Sequence, residues 1–102
     1  MRFKNKTVIV TGAGSGIGET TAIKFAQEGA NVVIADIDPN NGKIVTTKIN
    51  DTNGSALFVE TNVANFDSIN EMVKKTINEF DLPDILINNA GINVFGEPLK
   101  MP

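Results

Sequence analysis

The sequence predicts an α/β fold in which a parallel sheet is wound between helices, and three observations carry that expectation. Short apolar, β-branched runs recur along the chain at Thr7 to Val10, Val32 to Ala35, Ala56 to Val59 and Ile85 to Ile87. A segment with helical spacing follows each of the first three runs, and a glycine-rich turn separates the first run from its helix. Runs with no polar alternation suit strands covered on both faces, and strand–helix alternation calls for right-handed crossovers within one parallel sheet.

Each element has its own signals. Thr7-Val8-Ile9-Val10 is a buried strand ending at glycines. In the next helix, Ile17, Ala22, Phe25 and Ala26 recur at helical steps up to Gln27, and Glu28-Gly29 supplies the terminating glycine. Val32 to Ala35 is the second strand. Asp38-Pro39 then offers an N-cap and a proline at the first helical position, opening a helix through Ile44, Val45 and Ile49 to an Asn53-Gly54 turn. After the third strand, Ala56 to Val59, the apolar positions Phe66, Ile69, Val73, Ile77 and Phe80 mark the clearest amphipathic helix. Ser68 to Glu71 reads as a capping box within it, and Pro83 closes it. Ile85 to Ile87 is the fourth strand, and Asn88 to Pro102 reads as loop. The pattern predicts the first four strands and three helices of a doubly wound, Rossmann-type fold, one domain over 1–102 that stops in mid-architecture. The fourth strand then has no later strand in this chain to cover its outer edge.

Composition excludes several chemistries. The chain has 102 residues, with 9 Lys plus Arg against 12 Asp plus Glu, for a formal charge of -3. It lacks the basic face that phosphate backbones require, so nucleic acid is not an expected partner. Runs such as Val32 to Ala35 fall far short of the roughly 20 apolar residues needed to cross a bilayer. No apolar stretch follows the charged start, which predicts a cytoplasmic protein with no membrane partner. With no His, Cys or Tyr, the chain has no imidazole proton shuttle, thiolate nucleophile or phenolic acid. No metal site is expected.

The turn Thr11-Gly12-Ala13-Gly14-Ser15-Gly16-Ile17-Gly18 opens a helix, and backbone N–H groups there make an anion site. Gly18 is followed by Glu19-Thr20, which excludes the Lys-Ser/Thr of a Walker phosphate loop. The strict G-x-G-x-x-G spacing also fails, ending on Ile17 from Gly12 and on Glu19 from Gly14. Asp36 lies at the end of the second strand, 18 residues beyond Gly18, close to the roughly 20 expected of an acid that grips a ribose 2′-OH.

T-G-x-x-x-G-x-G over Thr11, Gly12, Gly16 and Gly18, together with Asn88-Asn89-Ala90-Gly91 after the fourth strand, resembles the short-chain dehydrogenase/reductase family. The resemblance implies a dinucleotide held by Gly12, Ser15, Gly16, Ile17 and Gly18, by Asp36 and Ile37, by Asn62 and Val63, and by Asn89, Ala90 and Gly91. Relatives that prefer NADP commonly carry a basic residue in the glycine turn or after the acid, where this chain has Ser15 and Ile37. A carboxylate at 36 also repels a 2′-phosphate, so NAD is the expected cofactor. Asn62-Val63 is expected to end the third strand, where the family usually shows Asp-Val, an acceptor for the adenine amino group. Asn keeps the carbonyl acceptor and loses the charge. For Asn88 and Asn89 the family implies side chains that tie the sheet together and backbone that lines the riboses.

The family's catalytic Ser, Tyr-x-x-x-Lys and helical Asn cannot be carried over. There is no Tyr, and Ser15, Ser55 and Ser68 lie in the cofactor half. The resemblance thus implies the NAD-binding part of an oxidoreductase acting on an alcohol or ketone, homo-oligomeric when complete and inactive as this chain alone. A stand-alone nucleotide- or partner-binding module is the alternative, and S-adenosylmethionine binding is a third reading that leaves N-N-A-G unexplained.

Overall fold

A computed structural model describes residues 2–14 and 16–89. Ser15, Ala90 and Gly91, and the rest of the loop expected up to Pro102, lie outside the described residues. The order is β1 (Thr7–Thr11), α1 (Gly16–Gln27), β2 (Asn31–Asp36), α2 (Pro39–Asp51), β3 (Ser55–Glu60), α3 (Phe66–Glu79) and β4 (Ile85–Asn88). All pairings are parallel and the strand order is β3-β2-β1-β4, so the chain crosses from one edge of the sheet to the other between β3 and β4. This is the predicted Rossmann-type arrangement. The crossover leaves β1 and β2 central, where their unbroken apolar runs belong, with Val8, Val10, Val32 and Ile34 fully buried.

The sheet has two dissimilar faces because side chains alternate along a strand. On one face Val8, Val10, Val32 and Ile34 pack with Ala22 of α1 and Val45 and Ile49 of α2. On the other, Ile9, Val33, Ala35 and Val59 pack with Met72 of α3. β4 pairs with β1 alone among the described residues, and Leu86 is 60% exposed.

The helix ends follow local chemistry. Gly29, at φ +94°, takes the left-handed conformation that ends α1, and its N–H donates to Ala26 O. The Asp38 side chain accepts from the N–H groups of Asn40 and Asn41, with Pro39 at the first helical position. Gly42 lets α2 lie close to β3, since a Cβ there would meet Phe58 Cδ1 at 2.5 Å. Gly42→Ala is expected to lower stability by about 1–3 kcal/mol through displacement of the Phe58 ring, measured by chemical denaturation.

Four expectations need correction. The capping box at Ser68 is absent: α3 starts at Phe66, its cap is Asn65, whose Oδ1 accepts from Ser68 N at 2.8 Å, and Ser68 Oγ instead accepts from Asn62 N. The buried face of α3 is rotated from the apolar stripe toward Met72 and Thr76, leaving Phe66 and Ile77 exposed. Each helical residue advances about 100°, so a face centred on Met72 and Thr76 turns Phe66 and Ile77 outward. Thr76 is accommodated because its hydroxyl donates to Met72 O at 2.9 Å. Ile17 is not a core position of α1 but is 78% exposed. Asn88 belongs to β4 rather than to a loop, held in register opposite Thr11.

Candidate functional site

β1, β2 and β3 end together, and their C-terminal ends define a cleft of about 230 Å³ lined by Gly12, Ala35, Asp36, Ile37, Thr61, Asn62 and Val63. Ligands in open α/β sheets bind at such carboxyl ends, where the strand order reverses. Here the reversal lies between β1, which neighbours β2, and β4 on its other side.

Backbone contact builds one wall. Gly12, at φ +65°, turns the chain out of β1 while its N–H donates to Ala35 O at 2.8 Å. Gly16, at φ +60°, starts α1, and a Cβ there would meet no atom within 4 Å, so its outward side is open. Gly18 is buried against the turn: a Cβ would clash with the Gly12 carbonyl oxygen, with Gly12 C at 2.8 Å and Ala13 Cα at 3.0 Å. The glycines therefore do three different jobs, of which the last is a helix–strand approach that only hydrogen at Cα permits. Exposed Ile17 stands at the mouth of this turn.

The second wall is polar. Asp36 is half-buried at the end of β2. Its Oδ2 accepts from Gly14 N at 2.6 Å and its Oδ1 from Asp38 N at 2.9 Å. Ile37 beside it is 61% exposed, an apolar surface facing water. β3 itself ends at Glu60. Thr61 N donates to Asp36 O at 2.9 Å, which places Asn62 and Val63 in the following turn rather than in the strand. Asn62 Oδ1 accepts from Ala64 N at 3.0 Å, a local turn role, so the side chain that replaces the family's Asp is partly engaged by its own backbone.

Thr11 joins β1 to β4. Its hydroxyl donates to Asn88 Oδ1 at 2.8 Å and accepts from Asn89 N at 3.1 Å. Asn89 Nδ2 is buried with no acceptor among the described residues, a donor left for a neighbouring group. The structure thus gathers Gly12, Gly16, Ile17 and Gly18 with Asp36, Ile37, Asn62 and Val63 at one end of the sheet. Asn89 stands at the same end, after β4. Sequence reasoning missed Gly14 and the hub role of Thr11. Gly14 falls at an unspecified position of T-G-x-x-x-G-x-G, and only its burial and its bond to Asp36 distinguish it.

Among the described residues no helix is long and apolar enough to cross a membrane, and no cluster of His, Cys, Asp and Glu could hold a metal ion.

Comparison with known proteins gives the same architecture. The family model described as short chain dehydrogenase matches residues 6–101. An uncharacterized oxidoreductase of Thermotoga maritima is 45% identical over 96 residues, which are 94% of this chain and 38% of that protein. Among solved structures, a hydroxysteroid dehydrogenase from Escherichia coli superposes with a TM-score of 0.86 at 36% identity, covering 88% of this chain and 38% of its own. A structure described as a D-mannonate oxidoreductase from Haemophilus influenza, with bound NAD, gives a TM-score of 0.85 at 33% identity, covering 88% and 32%. The chain spans well under half the length of these relatives. On the family match across nearly its whole length, the chain belongs to the short-chain dehydrogenase family of oxidoreductases.

Proposed function

We propose that this chain is the NAD-binding part of an oxidoreductase that moves a hydride between a nicotinamide cofactor and an alcohol or ketone. The observation that carries the reading is Asp36, a half-buried carboxylate at the end of β2, beside the glycine turn and on the wall of the cleft. The residues fit a dinucleotide. The glycine turn offers N–H groups and a helix N-terminus for a pyrophosphate, a gain of about 0.3–1 kcal/mol from the dipole alone. Asp36 accepts ribose hydroxyls, and Ile37 and Val63 give apolar surface to a flat base. Asn62 retains a carbonyl acceptor toward that base. Ser15, Ala90 and Gly91 are the remaining proposed contacts. When bound, the cofactor supplies the hydride or accepts it. This chain's own residues orient and hold it.

The D-mannonate oxidoreductase structure with bound NAD supports a nicotinamide cofactor. Preference for NAD over NADP rests on Asp36, because a 2′-phosphate set against a carboxylate adds like-charge repulsion of several kcal/mol. Calorimetric titration tests this. NAD is expected to bind at least about tenfold more tightly than NADP. Asp36→Ala is expected to weaken NAD and close most of that gap. Equal affinities in the unaltered chain overturn the assignment.

The chain has no Tyr and none of the family's catalytic residues at matching positions. General acid–base catalysis contributes roughly 10²–10⁴-fold. We therefore place the proton-transfer machinery, the substrate and the oligomer contacts in a longer protein, and expect no turnover of alcohols or ketones by this chain alone. One observation favours the second reading, a partner-binding module: β4 pairs only with β1 among the described residues and exposes Leu86. Size exclusion with calorimetry separates the two: a monomer that binds NAD at micromolar strength supports the stand-alone module, while aggregation supports part of a longer enzyme.

A further inference from the structure

We propose that Asp36 has a second role, separate from any hold on a ribose: its carboxylate is the positioning residue that sets the shape of the glycine turn. The proposal extends the cofactor reading above, but its geometry stands on the protein alone. Gly14 is buried, and its N–H donates to Asp36 Oδ2 at 2.6 Å. The other oxygen accepts from Asp38 N at 2.9 Å, so one carboxylate ties the turn after β1 to the segment entering α2. Position 14 is closed by the same group. A Cβ there would meet Asp36 Oδ2 at 2.6 Å and Cγ at 3.1 Å, with Asn41 Cβ at 3.0 Å behind them. Gly14 therefore owes its lack of a side chain to Asp36, whereas Gly12 and Gly16 owe theirs to positive φ.

The two roles are compatible by acceptor capacity. An ionised carboxylate offers about four lone-pair sites, of which the two backbone donors take one on each oxygen. One site per oxygen remains, enough for the two adjacent hydroxyls of a ribose. Asn at this position cannot serve both N–H groups, because one of its two polar atoms is a donor facing a donor. Asp36→Asn thus releases either Gly14 or Asp38, according to which one the amide oxygen faces, whereas Asp36→Ala releases both.

The test separates turn from ribose by removing the hydroxyls as well as the protein group. The ¹⁵N-labelled chain and its Asp36→Ala variant are compared by amide hydrogen exchange, then titrated with NAD and with NAD whose adenosine ribose lacks both the 2′-OH and the 3′-OH. Exchange at Gly14 is expected to accelerate at least about tenfold in the variant, as befits loss of a charge-assisted hydrogen bond, while amides in the middle of β1 and β2 stay protected. Affinity for the dideoxy analogue is expected to fall by about the same factor, although that ligand has no adenosine ribose hydroxyl for Asp36 to hold. Unchanged exchange at Gly14, or equal binding of the dideoxy analogue by both proteins, overturns the proposal. If Asp36→Ala does not fold, Gly14→Ala displaces the carboxylate from the turn with Asp36 present, and the same two readouts decide. A chain that binds neither dinucleotide refutes the cofactor reading, and exchange at position 14 still decides the positioning role.

Discussion

Gly18→Ala is expected to abolish dinucleotide binding and to lower the thermal midpoint sharply, as read by calorimetry and by circular dichroism on heating. The added methyl would clash with the Gly12 carbonyl oxygen, and its other neighbours, Gly12 C and Ala13 Cα, are backbone as well. A flexible side chain could swing aside, as Phe58 can for Gly42→Ala, but the turn and the helix must separate as units. Overpacking of this kind reaches about 3 kcal/mol or more. For a domain of this size that is a loss of roughly 12–24 °C, at 4–8 °C per kcal/mol. The binding effect follows from the same movement, since α1 can recede from Gly12 only by opening the wall on which a pyrophosphate would sit. A midpoint within a few degrees of the parent, with NAD affinity retained, would show that the turn tolerates the separation.

Ile34→Ala is the second large effect. Ile34 is fully buried in β2 with Val10 and Phe58 as its register partners on either side, packed beneath α1 and α2. Truncating a buried Ile typically costs about 2–5 kcal/mol, a large part of a small domain's whole stability. Leu86→Ala in β4 provides the contrast. Its side chain is 60% exposed, and a change within about 0.5 kcal/mol is expected. Chemical denaturation of both variants measures the difference, and comparable losses would mean that the edge strand is as deeply packed as the central one.

Much of the fold was legible because each crossover carries local signals that agree with the global pattern. The Asp38-Pro39 cap, the Gly29 stop and the unbroken Val32 to Ala35 run each mean the same thing locally and in the finished sheet. The misread features are those set by neighbours. The rotation of α3 onto Met72 and Thr76 depends on which side of the helix β3 occupies, and periodicity alone follows the apolar stripe. The cap of α3 lies three residues before Ser68, which has the chemistry of a cap but whose hydroxyl is taken by Asn62 N. In the site, Gly12, Gly16 and Gly18 were visible as a motif, but their separate duties were not. A positive φ and a backbone clash leave the same letter in the sequence. Gly14 and Thr11 act through partners 22 and 77 residues away, Asp36 and Asn88, which no local pattern reveals.

A dinucleotide is expected to lie across the carboxyl ends of β1, β2 and β3. Titrating NAD into the ¹⁵N-labelled chain and following backbone amide shifts tests it most directly. The largest changes are expected at Gly12, Gly16, Gly18, Ile37 and Asn62. Changes concentrated instead in the groove between α1 and α2, at Ile23, Ala26, Ile49 and Gly54, or no changes at saturating cofactor, would contradict it.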